Sequence, residues 1–572
     1  MSYPDAANPD LLDRIPLSAR TVLDVGCGAA SLAAGYRRRN PRARLLGIED
    51  DPAVAALATR RLDRLYAVDV EADPVPFADE LPPAGLDCIV YGDVLEHLRD
   101  PWTVLRRQVE ALAPSGTVVI CIPNIEHWSF VERIIRGAWA YDDAGLFDRT
   151  HMRWFNPAGV LAGLRDAGLV PYDVKGRVFD PERADAWTEA MRPALERLGL
   201  DPVAYAGRSK PLQHVWRAHR REVSTVSVVG TRLAPVGGVS DVRVDQPLGA
   251  LFAEPGMSPR LSTLAEVAAP QSNVPRILVL HRPLLDAQIG QANIRRLLAM
   301  GFLLVCEFDD HPDYIPALRG VTDLQNFKGV HAVQTSTEPL AEVLRERNPE
   351  IAVFANAVAA IPDVANYVDG QPMTLFFGGL NREEDWPSLV PALNAVADRA
   401  GDRLKFRIVA DQGLFEALRT PHKDYAPLVD YRTYLSMLSA CEISFMPLAD
   451  TVFNRCKSDL KFIEAASHRV TPLASRTVYA GSIRDGQTGM LFSDADELQV
   501  KLQRLLDDPA AARAMADAAR AEVIRTRMLA YQMGRRAAWY RDLWDRRHEL
   551  HAALIARVPE LSSPEVDAAW AH

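Results

Sequence analysis

A short apolar run that leads into two closely spaced glycines constrains this chain most: Thr21-Val-Leu-Asp-Val-Gly-Cys-Gly-Ala-Ala-Ser31. A strand, a tight turn and then a helical pattern from Leu32 to Arg39 open a nucleotide-binding α/β unit. Gly26 and Gly28 let the backbone turn and approach a ligand with no Cβ in the way. Ser31 stands where a dinucleotide fingerprint has its third glycine, so the neighbouring residues must decide the ligand.

Those neighbours continue the alternation of strand and helix. Ala43–Ile48 reads as a second strand ending at Glu49, placed to accept hydrogen bonds from ribose hydroxyls. Leu65–Val68 is a third, ending at Asp69, where a carboxylate can meet an adenine amino group. Leu86–Val90 and Ser115–Asn124 supply a fourth and a fifth, and the series predicts a parallel sheet with its ligand at the carboxyl edge. Asp24, two residues before Gly26, suits a ligand carrying an ammonium group and repels a pyrophosphate. That favours S-adenosylmethionine over NAD.

Length and charge set the outer limits. A chain of 572 residues is enough for about three to four domains. The net charge of −10 gives no footprint for nucleic acid. Six scattered cysteines, none in a Cys-x-x-Cys pair, imply reduced thiols and support neither a zinc site nor a disulfide framework. The opening residues carry neither a basic nor an apolar leader pattern, and no apolar run approaches the roughly 20 residues of a membrane helix. A cytoplasmic location is expected.

VLDVGCG, the acidic end of the second strand, YGDVLEHL, SGTVVICIPN and GLFDRTHMRWF occur in that order. Together they resemble class I S-adenosylmethionine-dependent methyltransferases over about the first 180 residues. The resemblance implies that Asp24, Gly26 and Gly28 hold the methionine part, Glu49 the ribose, Asp69 the adenine side, and Asp93 the pocket floor. Methyl transfer to oxygen or nitrogen often needs a base. His151 is the first candidate; His97 reads as a helix-end contact and His127 as a surface residue beside Trp128.

From about Asp180 to Arg221 the strand rhythm stops, and the stretch reads as helical and charged. It then restarts as two further α/β series, from Val223 to Ala355 and from Met373 to Leu473, which predict two Rossmann-like lobes with a cleft between them. Gly237-Gly238, Arg243, Glu307–Pro312, Thr335–Leu340, Gly378-Gly379 with Arg382, and Asn454–Glu464 resemble a retaining GT-B glycosyltransferase of the family 4 kind. The likeness covers about residues 222 to 530. It implies a nucleotide-sugar donor whose diphosphate meets Gly379, Arg382, Lys457 and Ser458, with Glu464 toward the ribose and Lys461 and Arg455 in supporting places. The family's Glu-x7-Glu pair is incomplete, because Cys456 stands eight positions before Glu464. Asp309 and Asp310 are candidates to orient an acceptor hydroxyl, with a helix cap or turn as the alternative.

The sequence thus predicts an α/β protein of three parallel-sheet units: a methyltransferase domain at 1–215, an acceptor lobe at 222–365, a nucleotide-sugar lobe at 366–530 and a helical tail at 531–572. The tail either packs back on the first lobe or lies on an anionic membrane surface, the latter making the protein peripheral to an inner membrane. A bifunctional transferase is expected, acting on a glycan or lipid-linked glycan of a bacterial surface. A small-molecule glycoside, a protein acceptor or one non-catalytic binding unit are the alternatives. No metal is expected, and chelation is predicted to leave both activities intact.

Overall fold

The computed structural model describes residues 6–232, 237–263, 267, 275–285, 289–315, 318, 325–365 and 370–571. The first five residues, the last one, and the lobe boundary expected at 366 lie outside the described residues. The chain divides into two compact units: 1–224 with 252–256, and 225–251 with 257–572.

In the first unit the strands are β1 (Thr21–Val25), β2 (Arg44–Ile48), β3 (Arg64–Tyr66), β4 (Leu86–Gly92), β5 (Leu112–Pro123), β6 (Val170–Arg177) and β7 (Gln213–His219). They form a sheet of order β3-β2-β1-β4-β5-β7-β6, in which β7 runs antiparallel to both of its neighbours. β1 pairs with β2 and with β4 on opposite sides, so the strand order reverses at its carboxyl end and leaves a crevice there. Leu23, Val25, Leu46, Ile48, Ile89 and Tyr91 are buried along these strands, the near-continuous apolar pattern of a sheet covered on both faces.

β7 corrects the sequence reading. The helices Pro181–Arg197 and Pro202–Ser209 are present, but the end of the charged stretch is a strand inside the sheet. Two of its polar residues, Arg217 and His219, are buried with partners supplied from elsewhere. Arg217 donates from Nε to Asp173 Oδ2 at 3.0 Å and from Nη1 to the Phe252 carbonyl at 2.6 Å, and His219 lies 4.1 Å from the Tyr172 ring, stacked on it. Partners of that kind remove the desolvation penalty that would otherwise expel an arginine from a sheet.

The second unit holds two parallel sheets. β8 (Val226–Arg232), β9 (Met257–Leu261), β10 (Arg276–His281), β11 (Leu303–Glu307), β12 (Ala332–Thr335) and β13 (Ile351–Val353) take the order β13-β12-β11-β10-β8-β9. β14 (Met373–Gly378), β15 (Leu404–Val409), β16 (Lys423–Ala426), β17 (Ile443–Met446), β18 (Thr471–Ser475) and β19 (Met490–Phe492) take the order β16-β15-β14-β17-β18-β19. Each order reverses at the first strand of its sheet, β8 between β9 and β10 and β14 between β15 and β17, so each sheet carries a crevice at its carboxyl edge. The tail helices Ala530–Asp545, Arg547–Arg557 and Pro564–Ala569 pack on the first of these lobes. Tyr540 donates its hydroxyl to Gln334 Oε1 at 2.8 Å, and Trp570 its indole N–H to the Leu298 carbonyl at 2.9 Å.

Candidate functional site

β1 delivers the chain into Gly26 at φ +63° and Gly28 at φ +53°, and the helix Ser31–Arg39 follows. A Cβ on Gly26 would stand 2.6 Å from Val94 Cγ2, so the turn has no room for a side chain. Glu49 reaches the same turn from the end of β2: Oε2 accepts from Gly28 N at 2.8 Å and Oε1 from Asp51 N at 3.1 Å. Asp24 is buried, and burial together with the Glu49 charge pushes its carboxyl up to about 7. Glu49 is also raised, by burial, against the pull of its backbone hydrogen bonds. Among the described residues no ion pair joins either carboxylate to a basic side chain. Two neighbouring buried acids without a cation, beside a turn that admits only glycine, fit the ammonium and sulfonium charges of S-adenosylmethionine.

The remaining predicted cofactor residues differ from one another. Asp93, at φ +59° after β4, accepts from Gln213 Nε2, and burial raises its carboxyl to about 6 against the Arg177 charge. Gln213 belongs to β7, the strand missed in the sequence, and holds this acid from the far side. Asp69 is exposed and accepts from its own neighbour Glu71 N at 2.8 Å.

On the other flank of Asp93 lies a group that the sequence did not assemble. His97 and His151 approach to 4.8 Å between ring centroids, and one ligand atom from each of Glu96, His97 and His151 falls within 4.8 Å of the others. This clustering departs from the expectation of no metal-ligating group. Glu96 is 1% exposed with neither carboxylate oxygen hydrogen-bonded, and His151 Nδ1 is likewise buried without a partner. Burial lowers both imidazoles, His151 further through the His97 charge, and His97 against the opposing charge of Asp148. His127 is not a surface residue: it is buried, caps the helix Trp128–Ile135 through Nδ1, and burial takes it down to about 4.

The second unit gathers its predicted residues around one cleft of about 410 Å³. From the acceptor lobe come Asp309 and Asp310, two and three residues past β11; from the other lobe come Gly379, Arg382, Lys457, Ser458 and Glu464. A Cβ on Gly379 would lie 2.7 Å from Arg382 Cγ. Lys457 Nζ sits 3.0 Å from Asp310 Oδ1, and Arg282 pairs with Asp310 and, at 3.4 Å, with Asp309. Burial raises Asp310, but Lys457 and Arg282 outweigh it and hold the carboxyl below its ordinary value. Burial and the Asp310 charge push Asp309 up to about 6. The alternative of a capping role falls away, because His311 caps the short turn Pro312–Tyr314.

Ser458 Oγ accepts from Asn356 Nδ2 at 2.7 Å, just before the helix Leu460–Ser467, and Glu464 on that helix accepts from the Tyr431 hydroxyl at 2.8 Å. Arg243, quoted from the first lobe, is buried in an ion pair with Glu307 at 2.8 Å and also donates to the Phe354 carbonyl. Cys456 is buried and does not line the cleft. Arg455 is exposed and pairs with Asp450 at 2.7 Å. Several lining residues escaped the sequence reading or were given a lesser place. Lys461 lies in the cleft and donates to the Gly378 carbonyl, and burial lowers it to about 8. Arg282 and Tyr434 carried no motif that would have singled them out.

Residues 23–118 match the family described as Methyltransferase domain. Residues 389–538 match the family described as Glycosyl transferase-like. Over 213 residues the chain is 36% identical to a trans-aconitate 2-methyltransferase of Methylobacterium radiotolerans, covering 35% of this chain and 78% of that protein. Over 183 residues it is 28% identical to a ubiquinone biosynthesis O-methyltransferase of Xylella fastidiosa, covering 31% of this chain and 74% of that one. Among solved structures, HepE of Anabaena in complex with UDP and glucose is similar at 12% identity and a TM-score of 0.41, over 55% of this chain and 98% of that chain. No helix among the described residues is long and apolar enough to cross a membrane. The chain belongs to the methyltransferases through its N-terminal domain, to which a glycosyltransferase-like domain is fused.

Proposed function

We propose that the protein transfers a methyl group from S-adenosylmethionine at its first site and a sugar from a nucleotide-sugar at its second, both onto one glycan. One observation carries the reading: the two sites have opposite electrostatic demands. The first presents Asp24 and Glu49 buried without a cation, and the second presents Arg382, Lys457 and Lys461 around a cleft. A sulfonium donor suits the former and a diphosphate leaving group the latter.

At the first site S-adenosylmethionine supplies the methyl on a sulfonium. Asp24 takes its ammonium, the Gly26–Gly28 turn lets the backbone close on it, Glu49 takes the ribose and Asp69 the adenine side. Asp93 forms the floor. His151, neutral because burial depresses it, accepts the proton of an acceptor hydroxyl, which we assign to a sugar. At the second site Lys457 and Arg382 meet the growing charge of the leaving diphosphate, with backbone N–H groups near Gly379 and Ser458. Glu464 binds the ribose. Asp309 and Asp310 orient the acceptor hydroxyl for a transfer that retains anomeric configuration. Asp310 brings a carboxylate into the cleft despite the absence of one at Cys456. A surface polysaccharide or its lipid-linked precursor, handled on the cytoplasmic side, is the acceptor class this pairing suits.

Calorimetric titration of the full chain with S-adenosylhomocysteine, then with UDP, GDP, dTDP and CDP, tests both halves. Each ligand class should bind, and Asp24→Ala and Lys457→Ala should each weaken only its own. If no nucleotide binds, the second half of the reading falls.

A further inference from the structure

We propose that Glu96, His97 and His151 form a binding site for a divalent first-row cation on the acceptor side of the methyltransferase unit, with open positions for acceptor oxygens. The inference rests on the methyl-transfer reading for the purpose of the site, but not for its existence. Two imidazoles and one carboxylate are a donor set that suits zinc, manganese, iron or cobalt and leaves coordination positions unfilled. The three donors come from two distant segments, the turn Leu95–His97 and the loop holding His151, and their ligand atoms converge within 4.8 Å.

The convergence is built, not incidental. The Glu96 carbonyl accepts from Met152 N at 2.8 Å and from Arg153 N at 3.0 Å, which pins the His151 loop against the turn. Thr150 Oγ1 donates to Asp148 Oδ1 at 2.6 Å and lies 3.0 Å from His97 Nδ1. That chain orients the His97 ring and leaves its other nitrogen for a ligand, the arrangement by which outer partners fix metal-binding histidines. Glu96 itself is the second, independent observation. Its carboxylate is buried with both oxygens unpartnered, beside the further acids Asp93 and Asp148. A buried carboxylate that no protein group satisfies is costly to fold, and a cation at this point satisfies it.

A bound cation changes the part played by His151. The imidazole then serves as a ligand, and an acceptor hydroxyl on the cation becomes acidic enough to release its proton to water. The acceptor oxygen is left held in place by the cation. The chemistry favours an acceptor with two adjacent oxygens, such as a vicinal diol or a hydroxy acid, which can occupy two open positions together.

The test uses the purified full chain, stripped with EDTA and titrated with Co²⁺ alone, read by the visible d–d absorption of the ion. One equivalent should bind, and Glu96→Gln and His151→Ala should each remove the signal. Thr150→Ala, which removes only the orienting hydroxyl, should weaken Co²⁺ binding about 10- to 100-fold. S-adenosylhomocysteine titration of the same samples should be unchanged, showing that the variants are folded. Co²⁺ that fails to bind, or that binds His151→Ala and Glu96→Gln as tightly as wild type, overturns the metal site and leaves His151 as the proton acceptor. Failure of wild type to bind S-adenosylhomocysteine while Co²⁺ still binds overturns the methyl-transfer reading and leaves the metal site standing.

Discussion

Lys457 Nζ lies 3.0 Å from Asp310 Oδ1 and ties the two lobes of the second unit together across their cleft. The ammonium assigned to the donor diphosphate is therefore neutralised by an acceptor-lobe acid until a ligand arrives. Replacing Lys457 with Ala should weaken nucleoside diphosphate binding by about 10- to 100-fold, the range expected for a charged hydrogen bond of about 1.5–3 kcal/mol. Asp310→Asn should preserve or strengthen that binding while lowering sugar transfer. Equal nucleotide affinity of Lys457→Ala and wild type, measured by calorimetry, would remove the phosphate role.

Asp24 makes the first site sensitive to pH in a defined direction. Its folded value of about 7 lies above the ordinary 3.8. The stability this group contributes is fully present below about pH 3.8 and is lost as the pH rises to about 7, a swing of order 4 kcal/mol. Ligand binding runs the other way. The ligand's ammonium prefers the ionised acid, so affinity for S-adenosylhomocysteine should rise from about pH 6 to about 7 with proton release. Asp24→Asn should flatten both profiles, which thermal unfolding and calorimetry in buffers of different ionisation enthalpy will read.

Gly26→Ala combines a left-handed backbone at φ +63° with a contact of 2.6 Å to Val94 Cγ2. The strain should cost about 1–3 kcal/mol and be relieved by moving the turn that carries Gly28. S-adenosylhomocysteine binding should therefore fall along with thermal stability, while nucleotide binding at the second unit stays as it was.

The Arg243–Glu307 pair is buried on both sides, at 2% and 0% side-chain exposure. Glu307→Ala leaves a guanidinium uncompensated and should destabilise the second unit by about 3–5 kcal/mol. Replacing Arg243 with Met and Glu307 with Leu together should recover most of that loss in denaturant unfolding. If the single and double variants unfold alike, the pair contributes nothing through charge.

Much of the architecture is legible in the sequence because it is local. Apolar runs of five or six residues, each followed by Gly or an acid, mark parallel strands and their carboxyl ends, and Asp24, Gly26, Gly28 and Glu49 sit at such ends. The same periodicity exposed the two lobes of the second unit, and the resemblance to GT-B glycosyltransferases singled out Asp309, Asp310, Gly379, Arg382, Lys457, Ser458 and Glu464, which the structure gathers at one cleft. β7 was illegible for a physical reason: Arg217 and His219 make it look solvated, and residues distant in sequence, Asp173 and Phe252 for Arg217 and Gly116 for His219, satisfy them inside the sheet.

By itself the sequence determined where most strands fall and which residues stand at their ends, because each depends on spacing along one segment, while the two transferase-like parts were recognised by the resemblance of their motifs. Tertiary structure alone decided which charges meet. His151 was visible as a single histidine, but its convergence with Glu96 and His97 depends on a loop folding back over a turn. Lys461 read as a supporting residue until the helix Leu460–Ser467 turned it into the cleft, and Arg282 acquired a role only when β10 and β11 brought it beside two acids. Electrostatic partners act through space at a few ångströms, and sequence separation carries no record of that distance.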